Sequence, residues 1–291
     1  MKRILVATDF STRSDRAVRR AVLIAGRVDA SLTLLHVVDG DRAKELVDSD
    51  WAQATMLLEA TARILRMEHD VTADPLVLID DVDSGIVGGA EQAGADLIVL
   101  GPHRSRLRDI FTGTTVERVV RRSPFPLLVA VSAPSAAYER TLLAIDFDEA
   151  SRSAAKAALA MGIFDHTDVI VMHAFDTPAK NMLQRSMDAP EAVVDYVESE
   201  RDIATGKLDA LVHELNLPQT PQRVAGMTGS PARSILEAAQ QEGSHLIVLG
   251  TNQRKGFERM LIGSVTQEVI RDAGRDVLIV PVEEPEVSGR E

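Results

Sequence analysis

The feature that most constrains this chain is an internal repeat. Ile4-Leu5-Val6-Ala7-Thr8-Asp9-Phe10 is echoed by Thr141-Leu142-Leu143-Ala144-Ile145-Asp146-Phe147, and Asp146 lies 137 positions after Asp9. Leu32 to Val37 is echoed by Val169 to Ala174, with His173 again 137 positions after His36. Asp96 to Gly101 returns as His245 to Gly250, now offset by 149, so the second copy holds 12 more residues between these landmarks. Phe125 to Val131 returns as Asp276 to Val282. Four landmarks in one order mean that a single unit occurs twice. The 291 residues suit two domains, and the expected boundaries are 1–134 and 138–285. The short linker around Ser132-Ala133-Pro134-Ser135-Ala136 holds the two close together.

Within each copy, apolar runs alternate with helical spacing. Ala17, Val18, Ala21, Val22 and Ala25 recur with helical period after Ser11, a capping residue, and Ala154, Ala157, Ala158 and Ala160 do the same in copy two. The strands are continuously apolar, as strands of a parallel sheet covered on both faces must be. The expected fold is α/β, doubly wound, in two domains. Aromatic residues are only 3% of the chain, so the core must come from Val, Leu, Ile and Ala. Trp51 is the only tryptophan, and its neighbourhood of Met56, Leu57 and Leu58 reads as core packing.

Net charge is −12, which argues against a non-specific nucleic-acid binder. The absence of cysteine excludes disulfides, thiolate metal sites and thiol nucleophiles. The N-terminal apolar run is too short for an export signal, and no stretch approaches a membrane span, so a cytoplasmic location is the expectation.

Ligands in such sheets bind beyond the carboxyl ends of the strands. Asp9 and Asp146 follow the first strands, His36 and His173 end the second, and Gly101 and Gly250 end a later strand. The loop from Gly250 through Gln253, Arg254 and Lys255 to Gly263, Ser264, Val265 and Thr266 precedes a helical stretch. Glycine admits close approach, a helix N-terminus offers amides to phosphate, and Arg254 or Lys255 can neutralise it. Asp9 and Asp146 read equally as binders of adenosine or a metal and as local caps, and the two histidines read as structural. Arg104, Arg106 and Arg108 suit either phosphate or surface ion pairs, whereas Arg118, Arg121 and Arg122 decorate an exposed helix face.

These residues resemble the ATP-binding universal stress proteins, which carry Gly-x2-Gly-x9-Gly-Ser/Thr after the fourth strand and an aspartate after the first. Copy two matches at Asp146, Gly250, Gly263 and Ser264, with Gln253 where the second glycine belongs. Copy one keeps Gly101, Gly113 and Thr114, followed by Thr115, in a loop one residue shorter. Copy two has Gly229-Ser230-Pro231, close to the family's Gly-x-Pro; copy one has Asp80-Asp81-Val82, two carboxylates where phosphate would come. The resemblance implies strand order 3-2-1-4-5 in each half and pairing of the last strands into an intramolecular pseudo-dimer. It also implies adenine against the backbone near Val37 and Ala174, with ATP as ligand and Mg as its companion ion. The tandem chain can pair again as a homodimer, and its protein partners are unspecified. The favoured function is a nucleotide-binding sensor or adaptor in a stress response. The alternatives are a slow ATPase or nucleotidyl hydrolase, and an adaptor with both sites degenerate. No nucleophile–base pair and no Walker-type Gly-Lys-Ser/Thr is present.

Overall fold

The computed structural model describes residues 1–102, 114–177, 190–217, 220–227, 229–253 and 262–283. Copy one runs β1 (Arg3–Ala7), α1 (Thr12–Val28), β2 (Ser31–Val38), α2 (Lys44–His69), β3 (Ala73–Ile79), α3 (Val82–Ala93), β4 (Leu97–Leu100), α4 (Thr115–Arg122) and β5 (Leu127–Val129). Copy two runs β6 (Arg140–Ala144), α5 (Glu149–Ala160), β7 (Asp168–Phe175), α6 (Pro190–Glu214), β8 (Gln222–Gly226), α7 (Pro231–Gln241), β9 (Leu246–Gln253), α8 (Ser264–Asp272) and β10 (Asp276–Glu283).

Each half has the order 3-2-1-4-5, but the two sheets are one. The full order is β3-β2-β1-β4-β5-β10-β9-β6-β7-β8. All pairings within a half are parallel, and the seam between β5 and β10 is antiparallel, with Val129 opposite Val277, Leu128 opposite Leu278 and Leu127 opposite Ile279. Joining there removes two sheet edges that would otherwise recruit foreign strands.

The strand residues Ile4, Leu5, Val6, Leu97, Ile98 and Val99 are fully buried, which explains their unbroken apolar runs. Helices α1, α2, α5 and α6 cover one face through Ala17, Leu58, Ala154 and Leu208. The other four cover the opposite face through Ile86, Val119, Ile235 and Val269. Successive seam residues point to opposite faces, so Leu128 and Leu278 join the first core while Leu127, Val129, Val277 and Ile279 join the second. Both cores therefore run across the two halves.

Beside the seam lies a fully buried carboxylate. Asp276 Oδ2 accepts from Arg20 Nε at 2.8 Å and from the Tyr138 hydroxyl at 2.7 Å. Its Oδ1 accepts the amides of Val131 and Ser132, both at 2.9 Å. Arg20 also donates to Ala136 O and lies over the Tyr138 ring. The linker is thus pinned at both ends to α1 of copy one and β10 of copy two. Burial and the adjacent Asp276 charge push the Tyr138 hydroxyl well above its ordinary range, so it remains a donor.

Two sequence readings are corrected. Trp51, with Met56 and Leu57, is substantially exposed, and only Leu58 of that group is buried; the residues of α2 that face the sheet are Val47, Ala54, Leu58 and Leu65. Arg118 and Arg122 do not simply decorate a surface, because both pair with Asp83 on α3, at 3.2 and 2.8 Å.

Removing one member of a buried, hydrogen-bonded ion pair leaves its partner uncompensated, at a cost of about 3–5 kcal/mol. Asp276→Asn is therefore expected to lower unfolding stability by about 3 kcal/mol, measured by urea denaturation; an unchanged midpoint would deny the cluster this role. Gly250 lies against the first turn of α5, where an added Cβ would sit 2.3 Å from Ala150 O. Gly250→Ala is expected to cost about 1–3 kcal/mol by overpacking, readable in the same titration.

Candidate functional site

The sequence candidates that the structure describes gather at the carboxyl ends of the strands, in two clusters, one per copy. The copies share a local frame. Phe10 and Phe147, each next after the aspartate, take the left-handed conformation at φ 59° and 57°. Such a backbone is uncommon for a bulky residue. It lays Phe10 on His36 and Phe147 on His173, with ring centroids 4.7 and 4.2 Å apart. His36 Nδ1 lies 2.8 Å from Thr8 O, and His173 Nδ1 lies 2.8 Å from Ile145 O. A carbonyl can only accept, so Nδ1 carries the proton in both rings. The histidines tie the second strand to the turn after the first.

The aspartates differ. Asp9 Oδ1 accepts from the Ser14 hydroxyl at 2.7 Å and the Ser11 amide at 3.1 Å. Burial pushes its carboxyl upward, and hydrogen bonds from Ser11 and Ser14 outweigh that, so it lies below its ordinary range. It is spent on its own turn. In copy two, Ser151 Oγ instead accepts the Asp146 amide at 3.0 Å. The capping role falls to Asp148, whose Oδ1 accepts the Ser151 amide and whose Oδ2 accepts from Asn252. Burial raises the Asp146 carboxyl, His173 opposes this, and Asp148 adds to it, with the net shift upward.

Gly101 and Gly250 are required by packing. A Cβ on Gly101 would lie 2.7 Å from Arg13 O, as one on Gly250 would meet Ala150 O. The close approach that these glycines permit is that of the same copy's first helix turn. Val37 and Ala174 are half-buried against the second core and pair with Leu78 and Ala225.

The helices after the glycine loops also differ. In α4, Thr114 is the N-cap in a reciprocal capping box: its Oγ1 accepts the Glu117 amide at 3.2 Å, while Glu117 Oε2 accepts the Thr114 amide at 2.6 Å. Thr115 Oγ1 accepts from Arg118. A carboxylate already sits at this helix start, which is the place a helix offers to an anion. In α8 the N-cap is Gly263, with no side-chain cap. Ser264 is exposed and Val265 half-buried. A Cβ on Gly263 would meet no described residue closer than Thr251 Oγ1, at 4.0 Å. That hydroxyl is itself buried and without a hydrogen-bond partner, in a residue only 4% exposed. A buried, unpaired hydroxyl calls for an explanation.

Gly229, at φ 95°, holds a conformation that favours glycine and delivers Ser230 as the N-cap of α7, with Pro231 next. Ser230 Oγ also donates to Glu268 Oε1 on α8 at 2.8 Å. Gln253 ends β9, its backbone opposite Glu283. Arg104, Gly113 and Arg254 lie outside the described residues. Thr251 is the site residue that pattern reading passed over; its only sequence signal is its place directly after Gly250. The cross-copy bond from Gln267 Nε2 to Glu117 Oε1, at 2.9 Å, was also unforeseen, although both residues fall four places after a motif glycine.

Among the described residues no helix is long and apolar enough to cross a membrane, and no group of three or more histidine and carboxylate residues is placed to hold a metal.

Comparison with known proteins agrees with this architecture. The family model described as the universal stress protein family matches residues 1–131 and again 137–281. A universal stress protein of Mycolicibacterium smegmatis is 25% identical, covering 95% of this chain and 96% of its own. Universal stress protein G of Escherichia coli O157:H7 is 30% identical over 40% of this chain and 87% of its own. The crystal structure of a universal stress protein from Archaeoglobus fulgidus superposes with a TM-score of 0.70 at 18% identity, covering 96% of this chain and 98% of that one. The two matched segments, the repeated strand order and the full-length relatives together place this chain in the universal stress protein family, as a tandem of two such domains.

Proposed function

We propose that the chain is a nucleotide-binding sensor or adaptor that takes its ligand, ATP in the reading closest to the family pattern, in copy two. The observation that carries this is the start of α8. Among the described residues, a helix N-terminus without a side-chain cap, a glycine whose Cβ would meet nothing nearer than 4.0 Å and a buried hydroxyl without a partner meet at one place. Helix amides and hydroxyls are what a phosphate binds, and Thr251 Oγ1 would gain the partner it lacks. The residues present therefore fit the group: Gly263, Ser264, Val265 and Thr251 for phosphate, with Asp146 as an acceptor toward a sugar hydroxyl or as a ligand for a phosphate-bound Mg. When bound, ATP and Mg would supply an exchangeable phosphate charge; the side chains here orient it, and no group among them is set to attack it.

Copy one offers less. Glu117 occupies its helix start, Asp9 is consumed by Ser11 and Ser14, and Asp80 and Asp81 stand at the facing loop. A second reading, an adaptor with both sites degenerate, is favoured by one feature. β9 stays paired with β10 through Asn252 and Gln253, where the family's loop would carry its second glycine.

The first test is mass spectrometry of small molecules released from freshly purified, denatured protein. Near-stoichiometric nucleotide supports the sensor reading; none released, with no binding of added ATP, moves the assignment to the adaptor. Gly263→Val is expected to lose measurable ATP affinity by titration calorimetry, because a branched side chain fills the phosphate approach, and unchanged affinity would remove the site from α8.

Asp146 gives a pH-dependent test. Its native carboxyl titrates above the unfolded one, so the native state holds that proton more tightly. Its contribution is most favourable in acid and is lost as pH rises through the native value. Asp146→Asn is therefore expected to raise the melting temperature at neutral pH, with the gain vanishing in acid, while ATP affinity falls. A variant that melts lower at neutral pH contradicts the assigned shift, and one that binds ATP undiminished removes Asp146 from the site.

A further inference from the structure

Helix α2 carries two apolar stripes. The first, Val47, Ala54, Leu58 and Leu65, is buried on the sheet. The second comprises Leu46, Met56, Leu57, Ile64 and Met67, which are 49, 67, 42, 51 and 84% exposed. Leu57, Ala60, Ile64 and Met67 follow one another at steps of three and four, the spacing of a helix seam that packs on another helix. From Met56 to Met67 the stripe runs unbroken for about 17 Å, while Asp50 and Gln53 separate it from Leu46 on the same face. A contiguous exposed apolar strip of this length marks an interaction surface.

We propose that this stripe is where two copies of the chain pair, their α2 helices antiparallel about a two-fold axis at Ala60–Thr61. Three features specify a second copy as the occupant. The stripe is self-complementary about that point: Leu57 falls opposite the partner's Ile64, and on its flank Glu59 comes within one residue of the position opposite the partner's Arg63, with the small Ala60 at the crossing. Both charged residues are exposed, and being four apart they flank one side of the stripe. The segment Met56 to Met67 holds one glutamate and two arginines in a chain of net charge −12, so the acidic excess that keeps two such molecules apart is not concentrated on this face. Finally, the matching helix of copy two, α6, exposes only Val194 and Ile203 among its large described apolar residues. This face, which has no equal among the described residues, used isologously closes a dimer instead of propagating a filament.

Sedimentation velocity over a concentration series tests this with the intact chain. The wild type is expected to be dimeric at micromolar concentration. Ile64→Glu, at an exposed position, is expected to weaken dimerisation by about 100-fold or more, because two charges would be buried unpaired, while its urea midpoint matches the wild type when both are measured at concentrations low enough to be monomeric. Glu59→Arg and Arg63→Glu are each expected to weaken it about tenfold by bringing like charges close together, and the double exchange to restore it. A monomeric wild type overturns the proposal. So does a dimer that persists in Ile64→Glu and Met67→Glu, or a double exchange that fails to recover.

Discussion

The arrangement depends on one buried carboxylate. Asp276 is fully buried, opens β10, and gathers a guanidinium from α1, two backbone amides from the end of copy one and a phenol from the start of copy two. A lone ion in that position would be strongly disfavoured; with four donors it becomes a constraint on geometry. The amides of Val131 and Ser132 can reach Asp276 only if β5 ends beside the start of β10. The same contact therefore helps fix the antiparallel register of the seam, and with it the continuity of both cores. Domain docking here follows from hydrogen-bond satisfaction as much as from apolar area.

Much of this fold was legible in the residues. Repeated runs ending in Asp-Phe, the helical spacing of Ala17 to Ala25, and unbroken apolar strands point to parallel sheets covered on both faces. The patterns alone do not show that two sheets become one; the pairing of the last strands is what the family resemblance implies, and β5 and β10 do pair, in a register set at the end of β5 and the start of β10. Pattern reading also failed at α2. Its apolar residues are too many for one buried stripe, and Trp51, Met56 and Leu57 were assigned inward when only Leu58 points there.

The site was less legible than the fold, for a physical reason. Glycine has several uses, and sequence does not say which one applies. Gly101 and Gly250 admit a helix backbone, Gly229 a left-handed turn, and Gly263 a helix start where, among the described residues, an added Cβ would meet nothing nearer than Thr251 Oγ1. Thr251 went unread because a threonine after a strand is unremarkable until its hydroxyl is found buried without a partner. The aspartates, equivalent in sequence, diverge because Ser11 and Ser14 engage Asp9 whereas Asp148 takes over the capping near Asp146.

The bond between Gln267 and Glu117 carries a consequence for chains of this kind. The two residues occupy corresponding places in the repeat, so in a dimer of identical subunits each would face its own copy. Two glutamates would repel, and two glutamines would leave no charged acceptor for the Thr114 amide. Within one polypeptide, each side of the axis can be chosen separately. Asp276 makes the same point, since the strand register makes its counterpart Pro126, one place on from the Phe125 that the apolar runs alone suggest, and that of Arg20 is Ala157. Covalent fusion releases the two halves from the requirement of being alike, and it lets one half cap its helix start with Glu117 while the corresponding start in the other half carries no side-chain cap.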